Sequence, residues 1–184
     1  MEKSIDIFAY VIDNTAICNK IMQKLAKGAQ GRLVLDRSNF LTSSCARQAE
    51  RVKELAEAGC AVRTLRPKQG VAFAVMHAKT FIVDGRVVFL GSTNLTHNGL
   101  ENNKEHLLKI YESIIVDKIA ADFEETWNIA EEVTQQGIDE MMERDRRRKL
   151  KKHEKEVQGR AKASRNSRSA RRSPSESADQ GLSE

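Results

Sequence analysis

His77, Lys79, Asp84 and the run Gly91-Ser92-Thr93-Asn94 are the residues of this 184-residue chain best equipped for chemistry. An imidazole can attack or carry a proton near neutral pH, and an ammonium can clamp an anion. A glycine-led run of main-chain N–H groups, a hydroxyl and a carboxamide can cradle phosphate oxygens. Together they are equipment for cutting a phosphodiester. The elements that must position them are equally legible. Lys79 to Val83 is a β-branched and aromatic run, Asp84-Gly85 is a turn signal, and Val87 to Leu90 is a second apolar run, which predicts a hairpin. Side chains two apart on a strand share a face, so His77 and Lys79 converge, and Gly91 to Asn94 leaves the second strand beside them.

The spacing of His77, Lys79, Asp84, Gly91, Ser92 and Asn94 resembles the HxKxxxxD and GSxN signature of the phospholipase D superfamily, with every signature position filled. The resemblance runs from about Ile5 to about Trp127 and is strongest to the single-motif branch that holds mitochondrial cardiolipin hydrolases and small bacterial endonucleases. Met76-His77, the FIVDGRVVFLGS stretch and Asn102-Asn103-Lys104-Glu105 carry it. Ala78 and Leu95 depart from the residues common in that branch, at positions expected to bear on substrate choice rather than on catalysis. Relatives usually begin with a further strand and helix, so the resemblance implies an N-terminally truncated domain with an open sheet edge.

Hydrolysis of a phosphodiester needs a nucleophile, neutralisation of the non-bridging oxygens and a proton for the leaving alkoxide. One histidine cannot attack and donate at once. With a single motif per chain, the expectation is a homodimer whose two His77 side chains complete one active site. The resemblance implies that one His77 forms a phosphohistidine while its counterpart protonates the leaving group and then activates water. It also implies that Lys79 and Asn94 bind the phosphate oxygens with Ser92 beside them, and that Glu105 holds the second imidazole nitrogen. Asp84 belongs to the catalytic signature, but its place on the turn favours a structural role. No cofactor and no metal is required in this scheme, and no His, Cys or carboxylate cluster has convincing ligand spacing. His97, His106 and His153 have no motif support, and Trp127 reads as a packing residue.

The remaining pattern predicts strand, helix, strand, helix, strand before the hairpin, then a strand at Leu107 to Tyr111 and a helix bearing Ile119, Phe123 and Trp127. Asn14 or Thr15 could cap the first helix and Ser43 or Ser44 the second, with stops at Gly28 and Gly59. The fold expected is a phospholipase D-like α/β sandwich, a mixed sheet with helices on both faces. No repeat and no membrane-spanning apolar run is present.

Charge divides the chain sharply. Residues 1–143 hold 17 Lys and Arg against 20 Asp and Glu, whereas residues 144–172 hold 14 against 3. The division predicts a phosphodiesterase domain over residues 1–138 and, over 139–184, a basic helix followed from Arg160 by a disordered Ser/Arg-rich tail. Such a tail serves solubility, nuclear targeting, or attraction to RNA or an acidic membrane. Cys18, Cys45 and Cys60 lack paired spacing and read as reduced thiols of an intracellular protein. The resemblance points to the mitochondrial surface, the basic tail to cytosol or nucleus. Three functions follow: a phospholipase D-type hydrolase releasing phosphatidic acid from cardiolipin, a metal-independent endonuclease on single-stranded RNA or DNA, and an inactive nucleic-acid-binding scaffold. The partners expected are a second copy of the chain and an anionic phospholipid or single-stranded nucleic acid.

Overall fold

A computed structural model describes residues 2–42, 47–66, 71 and 74–170. Alternating apolar residues make β1 (Ser4–Ala9) the middle of a seven-stranded mixed sheet. Parallel to it run β2 (Gln30–Asp36) and then β3 (Ala61–Leu65). On its other side lie antiparallel β4 (Thr80–Val83), β5 (Val87–Gly91) and β6 (Leu107–Ile110). A two-residue β7 (Glu131–Glu132) borders β3, so the order is β6-β5-β4-β1-β2-β3-β7. The edge strand β6 leaves Leu107 and Leu108 exposed, followed by exposed Tyr111.

Helices α1 (Thr15–Leu25) and α3 (Gln48–Glu57) are the crossovers that the parallel strands require. Asn14, one of the two caps expected, accepts from Ile17 N at 3.0 Å. The alternative caps of the second helix, Ser43 and Ser44, fall outside the described residues, as does Cys45. A short helix α2 (Arg37–Thr42) follows β2 directly and has no apolar periodicity to announce it. Ile5, Ile7, Ala9, Leu33 and Leu35 face Cys18, Ile21, Leu25, Val52 and Leu55 in one core cluster. On the opposite face Phe8, Val34, Ile82 and Val88 pack with Val116 and Phe123 of α4 (Ser113–Ile129). The sheet is therefore covered on both sides. Trp127 sits against the guanidinium groups of Arg32 and Arg63, at 5.4 and 4.4 Å, as a packing residue.

The last helix, α5 (Gln135–Ala170), begins inside the domain, where Ile138 and Met141 are buried in the first core cluster. The compact unit holding the core spans Met1–Asp145, and a second unit begins at Arg146. Helix continues ten residues beyond Arg160, where composition points to unstructured chain. Ala161, Lys162, Ala163, Arg165 and Ala170 are good helix formers, and this local preference outweighs the intervening serines. Cys18 and Cys60 are buried free thiols, and burial pushes both up to about 12, which leaves them unreactive at neutral pH.

Asp84 closes the β4–β5 hairpin with φ 55°, followed by Gly85 at φ 62°. Its carboxylate accepts from Glu2 N, Lys3 N and Ser4 N at 2.8–3.0 Å, tying the start of β1 to the hairpin. Partial burial opposes ionisation, yet these three donors hold the carboxyl down to about 2. Because the folded state lowers this value from 3.8, the stabilisation is present above about pH 4 and fades as pH falls toward 2. Asp84→Asn, which tolerates the left-handed backbone, is expected to lose about 1–2 kcal/mol at neutral pH. Urea unfolding from pH 7 to pH 2 checks this, and a gap that stays constant over the whole range would count against the charged clamp.

Candidate active site

Parallel strands bring their C-terminal ends to one edge of a sheet, and antiparallel neighbours bring alternate ends to the same place. At that edge β1 delivers Tyr10, β2 delivers Asp36, β4 is entered from His77-Ala78-Lys79, β5 ends at Gly91-Ser92, and β6 is entered from Glu105-His106. Regular strand starts at Thr80 rather than Lys79, so His77 and Lys79 lie on the extended approach to β4. Their two-residue spacing still brings them together. The Lys79 Nζ is 2.8 Å from His77 Nδ1 and donates to the His77 carbonyl at 2.7 Å.

Lys79 is only 4% exposed, whereas His77 is exposed. The His77 ring lies tilted against the Tyr10 ring, with centroids 4.6 Å apart, and Lys79 Nζ sits 5.4 Å from the Tyr10 centroid. Burial, aided by the Lys79 charge and opposed by Asp36, lowers the His77 pKa. Burial also lowers that of Lys79, against the pull of Glu105. A charged Lys79 can only donate, so in this arrangement Nδ1 accepts and the neutral ring carries its proton on Nε2.

Close backbone approach shapes the Gly91-Ser92 turn, and the main-chain donors expected to cradle phosphate are engaged within the sheet, Gly91 N donating to the Lys79 carbonyl at 3.3 Å. A Cβ on Gly91 would lie 2.0 Å from the His106 carbonyl oxygen, and Ser92 N donates to that same oxygen at 3.0 Å. Glycine is therefore required by contact between β5 and the entry to β6. The Ser92 hydroxyl donates to Glu105, His106 N donates to Ser92 Oγ at 3.2 Å, and Asn103 Nδ2 donates to Glu105 at 3.2 Å. The bonds from Ser92 and Asn103 lower the Glu105 pKa and keep it ionised. Among the described contacts Glu105 thus meets Ser92 and Asn103, while Lys79 occupies the His77 Nδ1 position where the resemblance places Glu105. Asn94 is half-buried and its Oδ1 is a buried acceptor without a hydrogen-bond partner.

Leu95 is 1% exposed and packs in the core, and its carbonyl accepts from Asp13 N and Asn14 N at 2.9 and 3.0 Å. Its departure from the common residue therefore acts through packing, not by facing a substrate. Asp84 lies at the opposite end of β4 from Lys79, away from this edge. Among the described hydrogen bonds His97 and His106 take part through main-chain groups, the His106 side chain helps to lower the Glu105 pKa, and His153 is exposed on α5. Among the described residues no group of three His, Cys, Asp or Glu side chains is gathered as a metal-ligand set. Two participants are not singled out by the spacing, Tyr10 and Asp36. A carboxylate ending the apolar run Leu33-Val34-Leu35 is the available signal for the latter.

A family profile described as "Cardiolipin synthase, PLD-like domain" matches residues 1–127. The chain belongs to the phospholipase D-like family. Among curated proteins it is 26% identical over 127 residues to a mitochondrial cardiolipin hydrolase of Chlamydomonas reinhardtii, covering 69% of this chain and 52% of that protein. It is 25% identical over 126 residues to the protein of the same name from Xenopus tropicalis, covering 68% and 55%. The chain thus spans about half the length of the curated relatives it matches. Its fold is similar to that of Nuc from Salmonella typhimurium, a phospholipase D family member, at a TM-score of 0.62 and 21% identity, covering 71% of this chain and 82% of that one. NucT from Helicobacter pylori gives 0.61 and 22%, with the same coverage.

Proposed function

We propose that this phospholipase D-like chain is a phosphodiesterase acting through a phosphohistidine, with cardiolipin as its substrate and phosphatidic acid as a product. The observation that carries this reading is the pairing of an exposed imidazole with a buried ammonium 2.8 Å away, at the sheet edge where β5 ends in Gly91-Ser92. The names of the curated relatives support the choice of lipid.

In the proposed reaction the substrate phosphate draws Lys79 Nζ from the ring onto a non-bridging oxygen. Nδ1 is then free to take the proton, with Glu105 as its acceptor, and Nε2 becomes the attacking lone pair. An Nε2–P bond forms, the P–O bond to the leaving alkoxide breaks, and the partner subunit's His77 protonates that oxygen. Water, deprotonated by the same partner imidazole, next attacks phosphorus and breaks the P–N bond. The second histidine comes from a homodimer because each chain supplies one. The lowered pKa of His77 favours the neutral ring that must attack.

The second reading, an endonuclease on single-stranded RNA or DNA by the same chemistry, is favoured by the exposed basic stretch of α5 from Arg146 to Arg160. Purified protein incubated in a chelator with cardiolipin vesicles and, separately, labelled single-stranded RNA tests both. Phosphatidic acid supports the first, RNA scission the second, and inactivity on both favours the idle scaffold.

Ending the chain after Asp145 keeps Ile138 and Met141 in the core and removes the basic stretch. This truncation is expected to preserve turnover of a small soluble phosphodiester while weakening binding to RNA or anionic vesicles, most steeply at low salt. Fluorescence anisotropy over a salt series checks it. Polyanion binding unchanged at every salt concentration would assign the stretch no electrostatic role.

A further inference from the structure

Asp36 is 1% exposed at the end of β2, a carboxylate taken almost wholly out of water. Buried carboxylates are costly unless hydrogen-bonded, and this one is saturated by three different donors. Its Oδ1 accepts from the Ser38 hydroxyl and from Asn39 N at 2.7 Å, which caps the short helix α2. Capping alone would be satisfied by one oxygen. The second, Oδ2, accepts from Met76 N at 2.8 Å, across the sheet edge and forty residues along the chain. Met76 is buried and directly precedes His77.

We propose that Asp36 is a positioning residue for His77: it pins the main chain of Met76, so that the imidazole rests against Tyr10 and its Nδ1 faces Lys79, and it lends the site a fixed negative charge. The proposal rests on His77 being the group that acts at phosphorus. The approach to β4 is joined to β5 at Lys79, whose carbonyl accepts from Gly91 N at 3.3 Å, and the bond from Met76 N to Asp36 fixes its path on the other side of His77. The anchor at Met76 lies a single residue from the reacting ring, where a small misplacement has a large effect on rate. The charged groups bearing on His77 are Lys79 from the approach to β4 and Asp36 from β2, with Glu105 from the entry to β6 acting on Lys79; Tyr10 faces it as an uncharged ring. Asp36 is the group that opposes Lys79, so its negative charge favours the protonated ring.

Two variants of the full chain separate positioning from capping, assayed on whichever of cardiolipin vesicles and single-stranded RNA the wild type hydrolyses. Asp36→Asn keeps an acceptor toward Asn39 N but loses the charge. It is expected to lower kcat by about 10–100-fold with KM little changed, and to move the acid limb of kcat/KM to lower pH because the neutral imidazole is then favoured. An amide-to-ester replacement at Met76 deletes only the N–H, leaving Asp36 charged and α2 capped. It is expected to lower kcat while the acid limb stays in place, and it tests the anchor by itself if Asp36→Asn does not fold. Wild-type kcat in the Met76 ester, or a folded Asp36→Asn protein with wild-type kcat and pH limbs, would overturn the proposal. A wild type inactive on both phosphodiesters would instead remove the phosphohistidine reading, and the proposal with it.

Discussion

His77→Asn is expected to lower turnover about a thousandfold or more, because His77 is the imidazole that Lys79 holds at the sheet edge, able to attack phosphorus and to exchange protons with the leaving group. The fold should be retained. His77 is exposed, its ring contacts Tyr10 without entering the core clusters, and the hydrogen bond that its carbonyl accepts from Lys79 belongs to the main chain. A composite site adds a quantitative consequence. Equimolar exchange of wild-type and His77→Asn subunits leaves about one quarter of random dimers with both imidazoles, so activity should fall below the half expected of independent sites. Turnover near the wild-type rate in His77→Asn, or its loss on chelation of the wild type, would require a different nucleophile.

Gly91→Ala is expected to be the most damaging single methyl addition in the motif. The new Cβ would meet the His106 carbonyl oxygen at 2.0 Å, its carbon at 2.9 Å and Leu107 Cα at 3.0 Å, all of them main-chain atoms that cannot rotate away. Relief requires β5 and β6 to part where Gly91 pairs with Leu107. Destabilisation of about 1–3 kcal/mol is expected from forced overpacking. Ser92 N and its hydroxyl, both bonded across the same gap, would shift with it. Displacement of Ser92 and the Glu105 it bonds by about 1 Å should cost about a hundredfold in kcat. Urea unfolding and steady-state kinetics read the two effects separately, and wild-type values for both would contradict the close approach of the strands.

What the sequence disclosed and what it withheld divide along one line, the distance over which a signal acts. The alternation Ile5, Ile7, Ala9 and the helical spacing Ile17, Ile21, Leu25 are local patterns that mark β1 and α1, although the buried face of α1 carries Cys18 where Ile17 is only partly buried. Asp84-Gly85 marks its turn by backbone preference alone. By contrast α2 has no stripe to read, since Arg37 to Thr42 is held by a cap from Asp36 rather than by an apolar face. Ile138 and Met141 lie three apart before a strongly basic stretch, and the charge change near Met142 is a stronger sequence signal than the two core contacts. Within the candidate site, His77, Lys79 and Ser92 were legible because they flank one hairpin. Tyr10 and Asp36 reach them only through the pairing of β1 with β4 and the bond from Met76, which no spacing along the chain encodes.

The central place of β1 also orders events in time. Its parallel partner β2 arrives after one short crossover, and β4 and β5 can pair with each other through a tight turn. Joining the halves means matching Ile5 with Val83 and Phe8 with Thr80, a loop closure spanning most of the domain. Only that closure sets Tyr10 beside His77 and brings Met76 N to Asp36. Each local piece can therefore be well formed during synthesis before the candidate site exists, because Tyr10, Asp36 and His77 meet only on that closure.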